Sequence, residues 1–329
     1  MADYWIWCGS VIRGEDERYH MFASRWSKRM PMFSGYLLRS EIVRAVSDTP
    51  DGPYRFVEHV LPLAAADAWD GRMAHNPSIH KIGDTYLLYY IGSTFTGEIS
   101  PVSDDSWNSQ CEESYRNIRI GLATSKSLEG PWQTLGQPIL EPRPGKWDSQ
   151  IVTNPAPCVR QDGRVILFYR SNTADGLRIG IAGADSYAGS YRRLVDEPVL
   201  RFANGDFVED PFVWWVKDHY EMLAKDMLGG ITGEMHAGAH FWSKEGVNWM
   251  PIDPPKAYSR RLDFVDGSTT QLGSLERPQL LFDEQGTPIC LFAAAADGPG
   301  GFHNASHTWN VAIPLRKDSS TSRKELCYV

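Results

Sequence analysis

No stretch of the 329 residues approaches the roughly 18 consecutive apolar residues that a membrane-spanning helix requires. Basic residues are outnumbered, 33 Lys and Arg against 41 Asp and Glu, for a formal charge of −8. That balance lacks the basic face of a general nucleic-acid binder and is equally unsuited to an anionic membrane surface. Only five cysteines occur, Cys8, Cys111, Cys158, Cys290 and Cys327, with no C-x-x-C and no His/Cys ligand spacing. Neither a zinc site nor a disulfide framework is therefore expected, and Cys158 and Cys290, set in apolar runs, read as small core residues. The opening MADYWIWCGS has neither a basic nor an apolar leader segment, which makes the reducing cytoplasm the default expectation. Low-complexity tracts and convincing amphipathic helices are also lacking. With 42% hydrophobic and 22% charged residues, the chain reads as folded and globular.

What is abundant is aromatic residues and turn formers: 12 Trp, 14 Tyr, 29 Gly and 21 Pro. Short aromatic strands between frequent turns indicate an all-β chain. A repeat sharpens this. HNPSIHKIGDTYLLYY (75–90), TNPAPCVRQDGRVILFY (153–169), EDPFVWWVKDHYEMLA (209–224) and ERPQLLFDEQGTPICLF (276–292) share one order: polar residues, Pro, an apolar strand, a turn, an aromatic strand. CGSVIRGEDERYHMFA (8–23) fits as a first copy with Ser10 in the Pro place. The anchors Ser10, Pro77, Pro155, Pro211 and Pro278 are 67, 78, 56 and 67 residues apart. A Gly- or Asp-bearing turn follows each Pro anchor, as tight hairpins require. A second strand pair follows most copies, at 41–57, 119–135, 178–194 and, more weakly, 237–252. The sum is a five-bladed β-propeller of four-stranded antiparallel blades over residues 1–318, with 319–329 as a peripheral strand or frayed tail. Insertions at 24–38, 92–116 and 225–236 all follow a blade's second strand and gather at one rim.

In a propeller the first strand of each blade lines the central channel, so residues at and before the anchors converge at one mouth. These are Cys8-Gly9, His75-Asn76, Thr153-Asn154, Glu209-Asp210 and Glu276-Arg277. Three carboxylates, Glu209, Asp210 and Glu276, crowded at one opening repel one another and raise at least one pKa, an arrangement kept for chemistry or ligand binding. Arg277 is placed to meet an anionic group. Flat Trp rings, Trp7 among them, with Asn76 and Asn154 beside them, suit the apolar faces and hydroxyls of a sugar. Trp5, Trp26, Trp69, Trp107, Trp147 and Trp242 are assigned to mouths or loops, whereas Trp132, Trp214 and Trp249 read as packing between blades.

A five-bladed propeller with E-D-P at 209–211 resembles the family-43 arabinanases and β-xylosidases, together with their invertase-like and agaro-oligosaccharide-cleaving relatives. The resemblance spans the whole chain at the level of repeats. It implies a glycoside hydrolase, cleaving a terminal sugar from a glycoside or oligosaccharide, with Glu209 as general acid. The family's blade-three acid is replaced by Asn154 and its blade-one acid by the segment Cys8-Gly9-Ser10, so a second carboxylate must come from elsewhere. Glu276 and Asp210 are the first candidates and Glu234 the next, ahead of Asp226 and Asp16. His75, His236 and His240 are further candidates for proton donation or substrate contact. No DxDxDG loop is present, which leaves a structural or channel Ca²⁺ as the sole metal alternative and no cofactor. Two other readings stay open at this point: a glycoside phosphorylase, in which phosphate replaces the base, and a carbohydrate-binding propeller without catalysis.

Overall fold

The computed structural model describes residues 1–61, 64–102, 107–264 and 266–316 and the backbone of 327–328. Five four-stranded antiparallel sheets form a ring, each running in chain order from the channel outward. Blade one comprises Tyr4–Arg13, Tyr19–Ser27, Glu41–Ser47 and Arg55–His59, and blade two Met73–Ile82, Thr85–Ser93, Arg119–Ser125 and Gln133–Thr134. Thr153–Val159, Val165–Thr173, Gly176–Ala184 and Arg192–Arg193 build blade three. Blade four is Val208–Val216, His219–Asp226, Gly238–Ser243 and Met250–Tyr258. Ser274–Phe282, Pro288–Ala296, Thr308–Arg316 and Cys327–Tyr328 complete blade five. The fifth outer strand pair, from 308 onward, has no counterpart among the sequence copies, and of the expected tail only Cys327–Tyr328 lies among the described residues.

The hairpin turns are where the repeat puts them, and Gly83, Gly163, Lys217 and Gly286 adopt the positive φ they demand. The insertions differ from expectation. Two contain eight-residue helices, Met32–Arg39 and Ser109–Arg116, too short for their periodicity to stand out in sequence. Asn108 caps the second by accepting from the Cys111 amide. No helix among the described residues is long and apolar enough to cross a membrane.

Apolar residues are buried chiefly between neighbouring blades. Tyr89, Leu167 and Tyr169 lie between blades two and three, and Phe168, Met222 and Phe241 between three and four. Cys158 and Cys290 are buried core thiols. The ring closes between blades one and five, where the Ile6 amide donates to Thr308 Oγ1 at 2.9 Å and the Gly9 amide to Asn310 Oδ1 at 2.8 Å.

One polar anchor sits within the apolar packing. Asp148, with a side chain 0% exposed, accepts from Arg143 Nε at 2.9 Å, Arg193 Nη2 at 3.0 Å and Tyr169 Oη at 2.8 Å. It joins the link preceding blade three to that blade's second and outermost strands. Removing one member of such a buried cluster strands the others. Asp148→Ala is expected to lower unfolding free energy by about 3–5 kcal/mol in urea denaturation, whereas a loss below about 1 kcal/mol would show that the cluster contributes little net stability.

Candidate functional site

The channel mouth is built by one backbone device used five times. In every innermost strand, two residues oppose one on the neighbouring strand, a β-bulge, between Trp7 and Ser10, His75 and Ser78, Thr153 and Ala156, Glu209 and Phe212, and Glu276 and Gln279. The first extra residue is left-handed in all five: Cys8 (φ 56°), Asn76 (53°), Asn154 (51°), Asp210 (55°) and Arg277 (56°). Asn and Asp tolerate this region; for Cys8 and Arg277 it is strained, and such strain clusters at functional sites. Pro follows in four blades, which suits a bulge because Pro brings no amide to satisfy. The equivalent in blade one is Gly9, one residue before the Ser10 expected from sequence, and Asn310 meets its free amide. Trp7-Cys8, rather than Cys8-Gly9, is thus the blade-one counterpart of Glu209-Asp210.

The first four of these side chains form a directional chain around the channel axis, and Arg277 meets its end through the backbone amide. Cys8 Sγ donates to Asn76 Oδ1 at 2.7 Å, Asn76 Nδ2 to Asn154 Oδ1 at 2.9 Å, and Asn154 Nδ2 to Asp210 Oδ1 at 2.6 Å. The Arg277 amide donates to Asp210 Oδ2 at 3.3 Å, and its guanidinium lies 3.6 Å from Asp210 Oδ1. Burial pushes the Cys8 thiol well up, so it stays neutral and can donate.

One position earlier in each strand are Trp7, His75, Thr153, Glu209 and Glu276. Their cross-strand partners include Arg170 opposite Thr153 and Lys225 opposite Glu209. The buried Lys225 ammonium lies 2.9 Å from Glu209 Oε2, 3.0 Å from Glu276 Oε2 and 3.7 Å from Asp210 Oδ2. Burial alone would discharge Lys225, but Glu209 and Glu276 more than offset it and hold the ammonium charged. Arg170 Nη1 approaches Glu209 Oε1 at 3.4 Å. It also donates to Asn172 Oδ1, and Asn172 Nδ2 donates to the Tyr115 hydroxyl of the second helix. Burial works to raise the Glu209 pKa, yet Lys225 and Arg170 together draw it below the usual carboxylate range. Asp210 goes the other way, pushed up to about 6 by burial and by the Glu209 charge. His75 is held neutral, its pKa lowered to about 3 by burial and then by Arg277, with Ser40 Oγ 2.8 Å from Nδ1.

Most of the mouth residues line a cavity of about 110 Å³, with Lys225 and Cys8 buried behind its lining. Its lining combines charged residues, Arg170, Glu209, Asp210, Glu276 and Arg277, with aromatic ones, Trp7, Trp26, Phe33, Tyr36 and Phe302. The insertions of blades one and two and the Gly301–Asn304 turn of blade five join the aromatic residues at the rim. Phe33 of the first helix stacks on Phe302 from blade five at 5.3 Å and leans on Trp107 from the blade-two insertion at 5.6 Å.

Of the residues singled out from sequence, Glu209, Asp210, Glu276, His75, Asn76, Asn154, Arg277 and Trp7 converge here. Glu234 does not. Its carboxylate accepts from Ser259 Oγ at 3.0 Å, the Arg260 amide at 3.2 Å and Lys256 Nζ at 3.3 Å, in a separate rim cavity between blades four and five. Asp226 folds its own loop by accepting from the Gly229, Ile231 and Thr232 amides, and Asp16 pairs with His20. His240 pairs with Glu221 against Trp214, and half-buried His236 is likewise outside the cavity lining. Trp69 stacks on Tyr90 and Trp147 on Tyr169, both as blade packing, while Trp242 is exposed on an outer strand. Lys225 and Arg170 are the charged residues that the sequence reading missed, and Phe33, Tyr36 and Phe302 the aromatic ones. The signals for the two cations were present: a Lys in HYEMLAKD and an Arg in VILFYRSNT, each near the end of a second strand. Among the described residues no three His, Cys, Asp or Glu side chains gather as a metal site.

The raised Asp210 has a measurable consequence. Between the ordinary 3.8 and about 6, the folded protein holds a proton that the unfolded chain releases. That stabilising contribution is complete at low pH and is lost as pH rises through about 6. Asp210→Asn lacks the titration, so its melting temperature is expected to gain on the wild type between about pH 4 and about pH 6 and to run parallel to it above. Parallel melting curves across that window would show that Asp210 titrates normally.

No protein-family model matches the chain, and no curated protein does. Solved structures match it in shape. Zg3597, a family 117 glycoside hydrolase produced by the marine bacterium Zobellia galactanivorans, is 16% identical with a TM-score of 0.66, over 94% of this chain and 84% of that one. An exo-1,5-α-L-arabinanase from a bovine ruminal metagenomic library is 16% identical with a TM-score of 0.60, over 97% and 96%. A thermostable family-43 glycoside hydrolase is 12% identical with a TM-score of 0.62, over 98% and 94%. Across nearly its whole length the chain has the five-bladed β-propeller fold of these glycoside hydrolases.

Proposed function

We propose that this protein is a glycosidase that cleaves a terminal sugar from a glycoside or short oligosaccharide at the channel mouth, with Glu209 and Glu276 as the reacting carboxylates. The observation that carries the reading is the Lys225 ammonium held between them at 2.9 and 3.0 Å. Two carboxylates lining one small cavity, with aromatic rings in the same lining, are what glycoside cleavage needs. The shared fold supports a carbohydrate substrate. The small cavity, walled by Trp7, Phe33 and Phe302, suits a single terminal sugar.

The surroundings of the two glutamates differ. Glu209 faces two cations, Lys225 and Arg170, whereas Glu276 has only the shared Lys225. The resemblance implies Glu209 as the acid; the paired cations favour it instead as the ionised partner, with Glu276 moving the proton. The two oxygens that share Lys225 can be no more than about 6 Å apart, a ceiling that favours the roughly 5–5.5 Å spacing of retaining enzymes over the 6.5 Å or more that admits an inverting water. In the sequence we propose, Glu209 Oε forms a bond to the anomeric carbon as the bond to the leaving oxygen breaks. That oxygen takes its proton from Glu276. A water molecule, giving its proton back to Glu276, then displaces Glu209 and frees the sugar with its original configuration. Lys225, 2.9 Å from Glu209, stabilises the negative charge of the nucleophile before each turnover.

Proton NMR of the sugar first released from an aryl glycoside should show the anomer of the substrate; the opposite anomer would exclude the two-step route. Glu209→Gln and Glu276→Gln should each lower kcat/KM by on the order of 10²–10⁴-fold. The Glu276 variant alone should recover on leaving groups acidic enough to depart without a proton. Sugar binding by the wild type without turnover on any glycoside would instead indicate a sugar-binding propeller.

A further inference from the structure

Among the described residues at the mouth, Arg277 is the cation whose guanidinium has no oxygen acceptor at hydrogen-bond distance; its neighbour there is the neutral Cys8 thiol. Arg277 is 3% exposed, yet Nε, Nη1 and Nη2 all lack such an acceptor. Asp210, 3.6 Å away, is beyond hydrogen-bond reach and already accepts from Asn154 and from the Arg277 amide. Across the same cavity, buried Arg170 also keeps an unpaired Nε. Leaving buried guanidinium donors unmet is costly, and the strained φ of 56° at Arg277 adds to that cost. Lys225 has its acids, and Arg277 has none at hydrogen-bond distance.

We infer that Arg277 forms the floor of an oxyanion subsite, and that the sugar bound above it carries a carboxylate, as a uronosyl residue does. This rests on the glycosidase reading. A planar fork of N–H groups matches a carboxylate two-for-two, which a ring hydroxyl cannot do. Free phosphate offers the same oxygens, but as a dianion beside Glu209, Asp210 and Glu276 it is repelled more strongly than a monoanionic carboxylate. Placed on the axis, one residue after Glu276, Arg277 reaches the deep end of a sugar whose anomeric carbon lies between the two glutamates.

The test compares 4-nitrophenyl D-glucuronides and D-galacturonides, in both anomeric forms, with the matching neutral glucosides and galactosides, and adds inorganic phosphate as a third probe. Binding is read by calorimetry in a Glu209→Gln background, with and without Arg277→Met, and turnover in the wild type. An acidic sugar should bind on the order of 10–100-fold more tightly than its neutral counterpart, with Arg277→Met levelling the pair and Arg277→Lys keeping part of the preference. A neutral sugar that binds and turns over as well as its acidic counterpart overturns the subsite and leaves the glycosidase intact. Cleavage that requires phosphate, with phosphate binding lost in Arg277→Met, overturns the sugar-borne carboxylate in favour of a free oxyanion. If no sugar is bound or cleaved, the glycosidase reading itself fails, and the subsite with it. Should Arg277→Met not fold, the wild-type ratio of kcat/KM for acidic over neutral sugars decides.

Discussion

The Lys225 ammonium is the charge on which the mouth depends. Without it, Glu209, Asp210 and Glu276 would face one another in a buried cavity, and at least one would have to take up a proton. With it, two glutamates from adjacent blades share one nitrogen, and their separation is set by hydrogen-bond lengths rather than by loop conformation. The position of Lys225 is fixed by register: it lies directly opposite Glu209 across the blade-four hairpin, so one pairing delivers both charges. Glu276 arrives from the next blade at the equivalent bulge. The geometry of the glutamate pair is therefore a property of the ring itself.

The bulge does the same for the residues on the axis. A left-handed residue turns its side chain out of the strand's alternation, and five such turns at one level bring Cys8, Asn76, Asn154, Asp210 and Arg277 together. Hydrogen bonds run one way from Cys8 through the two amides to Asp210, each group donating to the next. Asn154, in the place where the family that the chain resembles carries an acid, has a clear role in this setting, as does Asn76: an amide can accept from one neighbour and donate to the other. A carboxylate at position 154 would put two acids in direct contact at Asp210. The missing acids thus leave the proposed chemistry to Glu209, in the family's acid place, and Glu276.

Most of the fold was legible from the Pro-anchored repeat, because hairpin turns and bulges demand particular residue types. Blade one shows the limit. Cys8-Gly9 lacks the Asn-Pro or Asp-Pro signal, and the alignment slipped by one residue onto Ser10. In a strand such a slip changes which side chain faces the channel, and it hid the equivalence of Trp7 with Glu209. The outermost strand pair of blade five went unread because its sequence departs from the other copies. The helices were too short to declare themselves. At the site, the convergence of Glu209, Asp210, Glu276 and Arg277 follows from repeat position alone. Glu234 was misplaced because an insertion residue has no repeat position to fix it. Lys225 and Arg170 were overlooked because the Pro anchors mark first strands and not the strands that pair with them, although a charged residue in an apolar second strand is itself informative.

The central question is which carboxylate meets the sugar. Incubating the wild type with a 2-deoxy-2-fluoroglycosyl fluoride of a cleaved sugar, then mapping the labelled peptide by mass spectrometry, reads this directly, since the fluorine slows release of a covalent intermediate. The expected result is a single glycosyl adduct on Glu209, in the segment around Glu209-Asp210-Pro211. An adduct on Glu276 would reverse the two roles, and turnover of the parent sugar with no adduct on either glutamate would contradict the Lys225-bridged pair as the reacting centre.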